Sequence, residues 1–168
     1  MSEASSRREA FLAASGMKVP KSVLFHGTSA ENAEAIMREG FRLDAEQRHG
    51  RASGEGVYLH HDPLVAAQHG PAMVAVKKAP GTRLSSYHDA HWDGWKPRPD
   101  HEVAEYLARH EEHGFKDPDD GSTIITDPGM LKPVATSHSG QCPSCFGNGY
   151  HPRTIQSCPT CSGKGVMW

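Results

Sequence analysis

All four cysteines of this 168-residue chain, Cys142, Cys145, Cys158 and Cys161, fall near its C-terminal end. They form two C-x-x-C pairs, and each pair continues as C-x-x-C-x-G-x-G. Four thiolates on two tight turns are the sulfur set of a tetrahedral structural zinc ion. Gly147, Gly149, Gly163 and Gly165 let the chain turn beneath the metal so that backbone amides point at the sulfurs. Two disulfides would use the same residues, but paired knuckles with no cysteine left over favour a metal. Such a closed site folds a module and does no chemistry of its own.

A second set of residues has the means for chemistry. His26-Gly27-Thr28 follows directly on the apolar run Val23 to Phe25, Gly54-x-Gly56-x-Tyr58 comes later, and Ser-Thr-Ile-Ile-Thr-Asp begins at Ser122. An imidazole can hold a hydroxyl, a glycine admits close approach to its backbone, and a tyrosine ring can stack on a flat ligand. Taken singly, each has a plain structural reading: His26 as a core-edge histidine, Tyr58 as a packed aromatic. Their joint occurrence favours a binding site.

The elements that must position them are short. Residues 5–14 read as a helix ending at Ser15-Gly16, and Val23 to Phe25 as a strand. Thr28 and Glu31 read as a T-x-x-E capping box for a helix that carries Ala33, Ile36 and Met37 and closes at Gly40. Residues 42–55 form a polar loop of the length that usually has a task. Strand, helix and strand follow at GVYLH, PLVAAQHG and PAMVAVKKA. Residues 81–101 resist assignment. HEVAEYLARHEEHGF reads as one amphipathic helix with Val103, Tyr106 and Leu107 inward, and GSTIITDPGMLKPVA as two strands joined at Asp127-Pro128-Gly129. The fold class is α+β. The expected organisation is an N-terminal helical extension (1–20), a body (21–136), a linker (137–141) and a four-cysteine zinc module (142–168).

In this order the body motifs resemble the ADP-ribosyltransferases of the diphtheria-toxin and poly(ADP-ribose) polymerase class, over roughly residues 21–135. The resemblance implies an enzyme that breaks the nicotinamide–ribose bond of NAD through an oxocarbenium-like transition state. It implies that His26 binds the adenosine ribose, that the Gly27 backbone pairs with the nicotinamide carboxamide, and that Tyr58 stacks on the nicotinamide ring. Thr28 falls within the same strand-end motif. His69 stands eleven residues past Tyr58, where polymerases of this class carry a second tyrosine. Aligning the segment from Ser122 with the family's Glu-containing strand places Ser122 where the catalytic glutamate belongs. Ser122 offers a hydrogen bond but no negative charge, so chain elongation is disfavoured and a mono-transferase fits better. Asp120, and more remotely Glu102 and Glu105, are candidates for the missing carboxylate. The tail resembles the zinc-finger region of J-domain co-chaperones over about 25 residues.

Other readings stay open. One is an RNA 2′-phosphotransferase of the same fold, gripping phosphate with Arg42, Arg48 and Arg51. Another is a non-catalytic binder of NAD or ADP-ribose, and a third a zinc-finger adaptor. The acceptor implied is a protein or a nucleic acid. Net charge is −2, so no overall basic field favours nucleic acid. No stretch approaches the roughly 18 apolar residues of a membrane span. The absence of an export signal and the reduced zinc thiolates point to the cytoplasm. His60, His61 and the histidines between 88 and 113 lack a ligand frame and read as solvated or local, and Asp117, Asp119 and Asp120 as a solvated turn.

Overall fold

A computed structural model describes residues 2–43, 56–119, 121–138, 149, 156–159 and 161–166. The chain begins with helix α1 (Glu3–Ser15), capped by the Ser2 side chain and ending at Gly16. Strand β1 (Leu24–Thr28) leads into α2 (Ala30–Glu39), which closes where the Gly40 N–H donates to the Ile36 carbonyl. Next come β2 (Val57–Leu59), α3 (Pro63–Ala67) and β3 (Ala72–Lys78). The stretch that resisted assignment contains β4 (Leu84–Ser86), α4 (Tyr87–His91) and a small hairpin, β5 (Trp92–Asp93) with β6 (Lys96–Pro97). Helix α5 (Asp100–Arg109) precedes β7 (Gly114–Lys116) and β8 (Thr123–Ile125). A 3-10 turn (Pro128–Met130) then leads into β9 (Leu131–His138).

Two expectations need correction. Thr28 is not a helix cap: it is the last residue of β1, and the Ser29 hydroxyl accepts the Asn32 N–H at 3.1 Å instead. The serine lies one residue closer to the helix and is the stronger N-cap of the two. Nor does one helix run to Phe115. Helix α5 stops at Arg109, the chain reverses at Glu111 in the left-handed region (φ 55), and Gly114–Lys116 pairs as a strand.

Among the described residues the strands make two main sheets, β1-β3-β9 and β2-β8-β7-β4, with every pairing antiparallel except β4 with β7. The sheets touch at one bridge, where Phe25 and His60 exchange backbone hydrogen bonds of 2.7 and 2.8 Å. Strand alternation sorts the core. Phe25, Met73 and Ala75 face α1 and α3, forming a cluster with Phe11, Val23, Ala66 and Ala67. Leu24, Val74 and Val76 face α2 and meet Val57, Leu59 and Ile125 of the second sheet. Helices α4 and α5 cover the other side of that sheet through Ala90, Val103, Leu107, Phe115 and Ile124.

Helix α1 is bolted to this core. The Phe11 ring meets Phe25 edge-on at 5.4 Å, and the Arg8 guanidinium lies 4.8 Å over Phe25 while donating to the Lys21 carbonyl. Arg7 donates to Asp62, whose other oxygen caps α3 at the Leu64 N–H. The tail reaches the same place: Val166, 2% exposed, lies in the buried cluster with Phe11, Phe25 and Ala66. Among the described residues, no helix is long and apolar enough to cross a membrane.

Candidate donor site and cysteine knuckle

The site is built where β1 and β2 part. In an antiparallel ladder, backbone groups point alternately toward and away from a given neighbour. The Phe25 N–H and C=O turn toward β2 and bond His60. Gly27, two residues on, therefore aims its N–H and C=O at the same edge, just past the last bridge. Among the described residues neither group has a partner outside the ladder. A donor and an acceptor on one residue, at the mouth of a split between strands, match the donor-acceptor pair of a carboxamide. The lack of a side chain at Gly27 has a second cause: a Cβ there would lie 1.7 Å from the Ala66 carbonyl oxygen of α3.

His26 closes the notch from the other strand position. Its Nδ1 lies 2.9 Å from the Tyr58 carbonyl, and its ring meets Phe41 edge-on at 5.3 Å. A carbonyl only accepts, so Nδ1 carries the proton and Nε2 is an acceptor in the neutral ring. Burial pushes the His26 imidazole below the usual histidine range. The bond to Tyr58 works against that shift, and the nearby His69 adds slightly to it. The unfolded chain thus takes up this proton first as pH falls. The stability His26 contributes is complete above the ordinary histidine value near 6.5 and is lost as pH drops below it toward the folded-state value. We expect the melting temperature of the wild type to decline as pH falls below about 6.5. In His26→Gln that decline should be shallower, as read by thermal denaturation across the pH series; parallel curves would contradict the assignment.

Tyr58 is half-buried on β2, opposite Ile124 of β8, with its ring packed on the α4–α5 side against the Val103–Phe115 cluster. Residues directly opposite share a face, and the face repeats every second residue. One step beyond the Leu59–Thr123 pair, His60 and Ser122 therefore stand level, on the Tyr58 face. The Asp117 N–H donates to the Ser122 carbonyl at 2.8 Å, extending the β7–β8 pairing and bringing Asp117 level with Ser122. Ser122 is buried, 1% exposed, and so is Asp117. The Asp117 carboxylate accepts the Asp119 N–H at 2.9 Å. Burial, with Asp117 and Asp119 nearby, pushes the Tyr87 phenol above its ordinary value.

These contacts correct two readings. His60 is buried, 3% exposed, and stacks on His69 at 5.2 Å with planes 13° apart, whereas His61 is exposed. Asp117 opens the turn, accepting the Gly121 N–H at its carbonyl, but is buried across from Ser122, whereas Asp119 is exposed. The signal for both lay in period two: His60 is Tyr58 plus two, and Asp117 pairs with Ser122 once the hairpin is set. The structure thus brings His26, Gly27, Tyr58, His60 and His69 around the strand split, with Ser122 and Asp117 on the adjoining face. Thr28 is buried at the end of β1 beside them. Glu102 and Glu105 lie exposed on α5 and line a separate pocket. Asp120, Gly54, Arg48 and Arg51 lie outside the described residues, and Arg42 pairs with Glu39 at 3.0 Å.

In the tail, Cys158 and Cys161 are described and buried, while Cys142 and Cys145 lie outside the described residues. The second knuckle has a turn suited to a metal thiolate. The Gly165 N–H donates to Cys161 Sγ at 3.1 Å, the Gly163 N–H to the Cys158 carbonyl at 3.0 Å, and the Cys158 N–H to the Gly149 carbonyl at 2.8 Å. Gly163 and Gly165 have φ of 78° and 77°, a region that side chains avoid. Among the described residues, no group of three or more metal-ligating side chains is assembled.

A family model for the poly(ADP-ribose) polymerase catalytic domain matches residues 3–79. The matched stretch runs from α1 through β3 and takes in His26, Gly27, Tyr58 and His69, but neither Ser122 nor the tail. No curated protein matches the chain. The match supports an ADP-ribosyltransferase-like class, with NAD as the substrate that domains of this type use.

Proposed function

We propose that the chain is an NAD-dependent mono-ADP-ribosyltransferase that passes ADP-ribose to a macromolecular target and releases nicotinamide. The observation that carries this reading is the strand split. There the Gly27 backbone presents a paired donor and acceptor, and His26 presents Nε2 beside it, within the segment matched to the transferase family. Gly27 would pair with the nicotinamide carboxamide, His26 Nε2 would accept from a ribose hydroxyl, and Tyr58 and His69 would contribute aromatic surface. Stacking of this kind adds on the order of 1 kcal/mol beyond burial.

Cleavage of the glycosidic bond develops positive charge on the ribose, and a carboxylate that faces this charge lowers the barrier. Ser122 has none. In this reading Asp117, level with Ser122 across the β7–β8 hairpin, supplies the charge in place of Asp120, Glu102 or Glu105. A serine at 122 also suits single transfer over chain elongation. The burial of Ser122 favours a second reading, a site that holds NAD or ADP-ribose without turnover. NAD binding followed by calorimetry tests the site common to both. The wild type should bind, and His26→Ala should bind more weakly by roughly five- to tenfold, since a charge-neutral hydrogen bond is worth about 1–1.5 kcal/mol. Equal affinity of the two proteins would remove this site.

The four cysteines fit a structural zinc: the described pair is buried, and the Gly165 amide already donates to a sulfur. Cys142, Cys145, Cys158 and Cys161 would hold the ion, which supplies folding energy and no catalytic step. Reduced thiolates of this kind suit the cytoplasm.

A further inference from the structure

The β5–β6 hairpin has no evident task in the core. Trp92 pairs with Pro97 and Asp93 with Lys96, leaving Gly94-Trp95 as a two-residue turn. Gly94 has φ 62 and Trp95 does not share the left-handed region, the pattern of a II′ turn, which glycine at the first position makes tight. Trp95 at the tip is 91% exposed and Trp92 39%. The hairpin is held rigidly from below by Arg98. Its N–H donates to the His91 carbonyl at 2.6 Å, its Nε to Ala90 at 3.0 Å and its Nη2 to Trp92 at 3.2 Å. The guanidinium plane lies 4.2 Å over the Tyr106 ring. A large apolar side chain raised on a fixed two-residue turn gains nothing from folding, whereas tryptophan on a preorganised support is typical of binding hot spots.

The surface beside it has a sign. A polar pocket of about 450 Å³ opens between the hairpin and α5, lined in part by Asp93, Arg98, Glu102, Glu105, Tyr106 and Arg109. Arg98 is engaged with three carbonyls and a ring. Asp93 and Glu105 make no ion pair among the described residues, and both are exposed. Over residues 87–110 the sequence holds five carboxylates against three basic side chains, a local excess equal to the −2 of the whole chain. An exposed indole next to surplus carboxylate is what a guanidinium or ammonium group needs: a π-face to lie on and an anion to meet.

We propose that the β5–β6 hairpin and the pocket beside it form a docking surface for a cationic peptide segment, with Trp95 stacking on a basic side chain that Asp93, Glu102 and Glu105 attract. As the surface that holds the acceptor protein, it rests on the transferase reading; the docking itself does not. The test is titration of the full chain with a labelled peptide of alternating arginine and glycine, with oligothymidylate as the comparison probe. The wild type should bind the peptide saturably and oligothymidylate more weakly. Trp95→Ala should weaken peptide binding roughly tenfold, and Asp93→Asn/Glu102→Gln/Glu105→Gln should weaken it and flatten its salt dependence. Undiminished binding by Trp95→Ala would overturn the proposal, as would tighter binding of oligothymidylate, which would mark a nucleic-acid surface. All these side chains are exposed, so the variants keep the fold. NAD affinity measured on the same samples tests the donor site separately.

Discussion

Gly27→Ala is expected to be the most damaging small substitution in the chain, lowering both stability and NAD affinity. The added methyl would fall 1.7 Å from the Ala66 carbonyl oxygen, and the obstacle is backbone, not the far end of a flexible side chain. That carbonyl also accepts the His69 N–H at 3.1 Å, so it cannot turn aside without cost. Helix α3 must retreat from β1 by more than an ångström, withdrawing Ala66 and Ala67 from the cluster they share with Phe25. Overpacking of this kind costs on the order of 3 kcal/mol or more, or roughly 6–12 °C of melting temperature for a chain of this size. Because His69 follows α3 directly and Gly27 carries the paired backbone groups, NAD binding should be lost as well. His26→Ala separates the two effects by proportion: affinity should fall, while the melting temperature drops less than in Gly27→Ala, because only the Tyr58 bond and the Phe41 contact are lost. A Gly27→Ala protein with an unshifted melt would mean that α3 does not press on β1.

The second large effect is expected at the other end of the chain. Val166 is buried among Phe11, Phe25 and Ala66, although the sequence places it in a module set apart by a linker. Val166→Asp would leave a carboxylate without a partner in an apolar cluster, which the protein can avoid only by undocking the tail. Chelation of the zinc proposed for the four cysteines should do the same, because metal-clipped turns with so few apolar residues have little else to hold them. The wild type should therefore melt several degrees lower after chelation. Val166→Asp should start near that lower value and respond little to chelator. A body whose melt is untouched by both treatments would show that the tail is an independent module, as the linker at 137–141 suggests.

The α+β class, the turn at Gly16, the end of α2 at Gly40 and the two strands β8 and β9 flanking Asp127-Pro128-Gly129 were legible in the sequence, because each has a local signal, although the two strands join different sheets. Glycine marks the two helix ends, and β-branched runs mark the strands. What escaped was decided by pairing. The reading of one helix through Phe115 rests on Glu111 and Glu112, which are good helix formers, and passes over Gly114; the reversal at Glu111 and the pull of β8 turn residues 114–116 into strand. The stretch around Trp92–Pro97 is too short for periodicity to register. In the site, His26, Gly27 and Tyr58 were visible as motif residues. Asp117 and His60 were not, since their positions follow from register across β2, β8 and β7. The reason alanine is excluded at 27 also lay out of sight, because Ala66 is far along the chain.

The most direct test of the central claim is incubation of the purified chain with NAD labelled in its adenylate half, in the presence of lysate protein. Nicotinamide release and transfer of label are followed together in the wild type, His26→Ala and Asp117→Asn. The transferase account predicts nicotinamide release coupled to label transfer in the wild type, and loss of both by two orders of magnitude or so in each variant. Binding of NAD with neither release nor transfer in the wild type would contradict it and leave a protein that holds the dinucleotide without cleaving it.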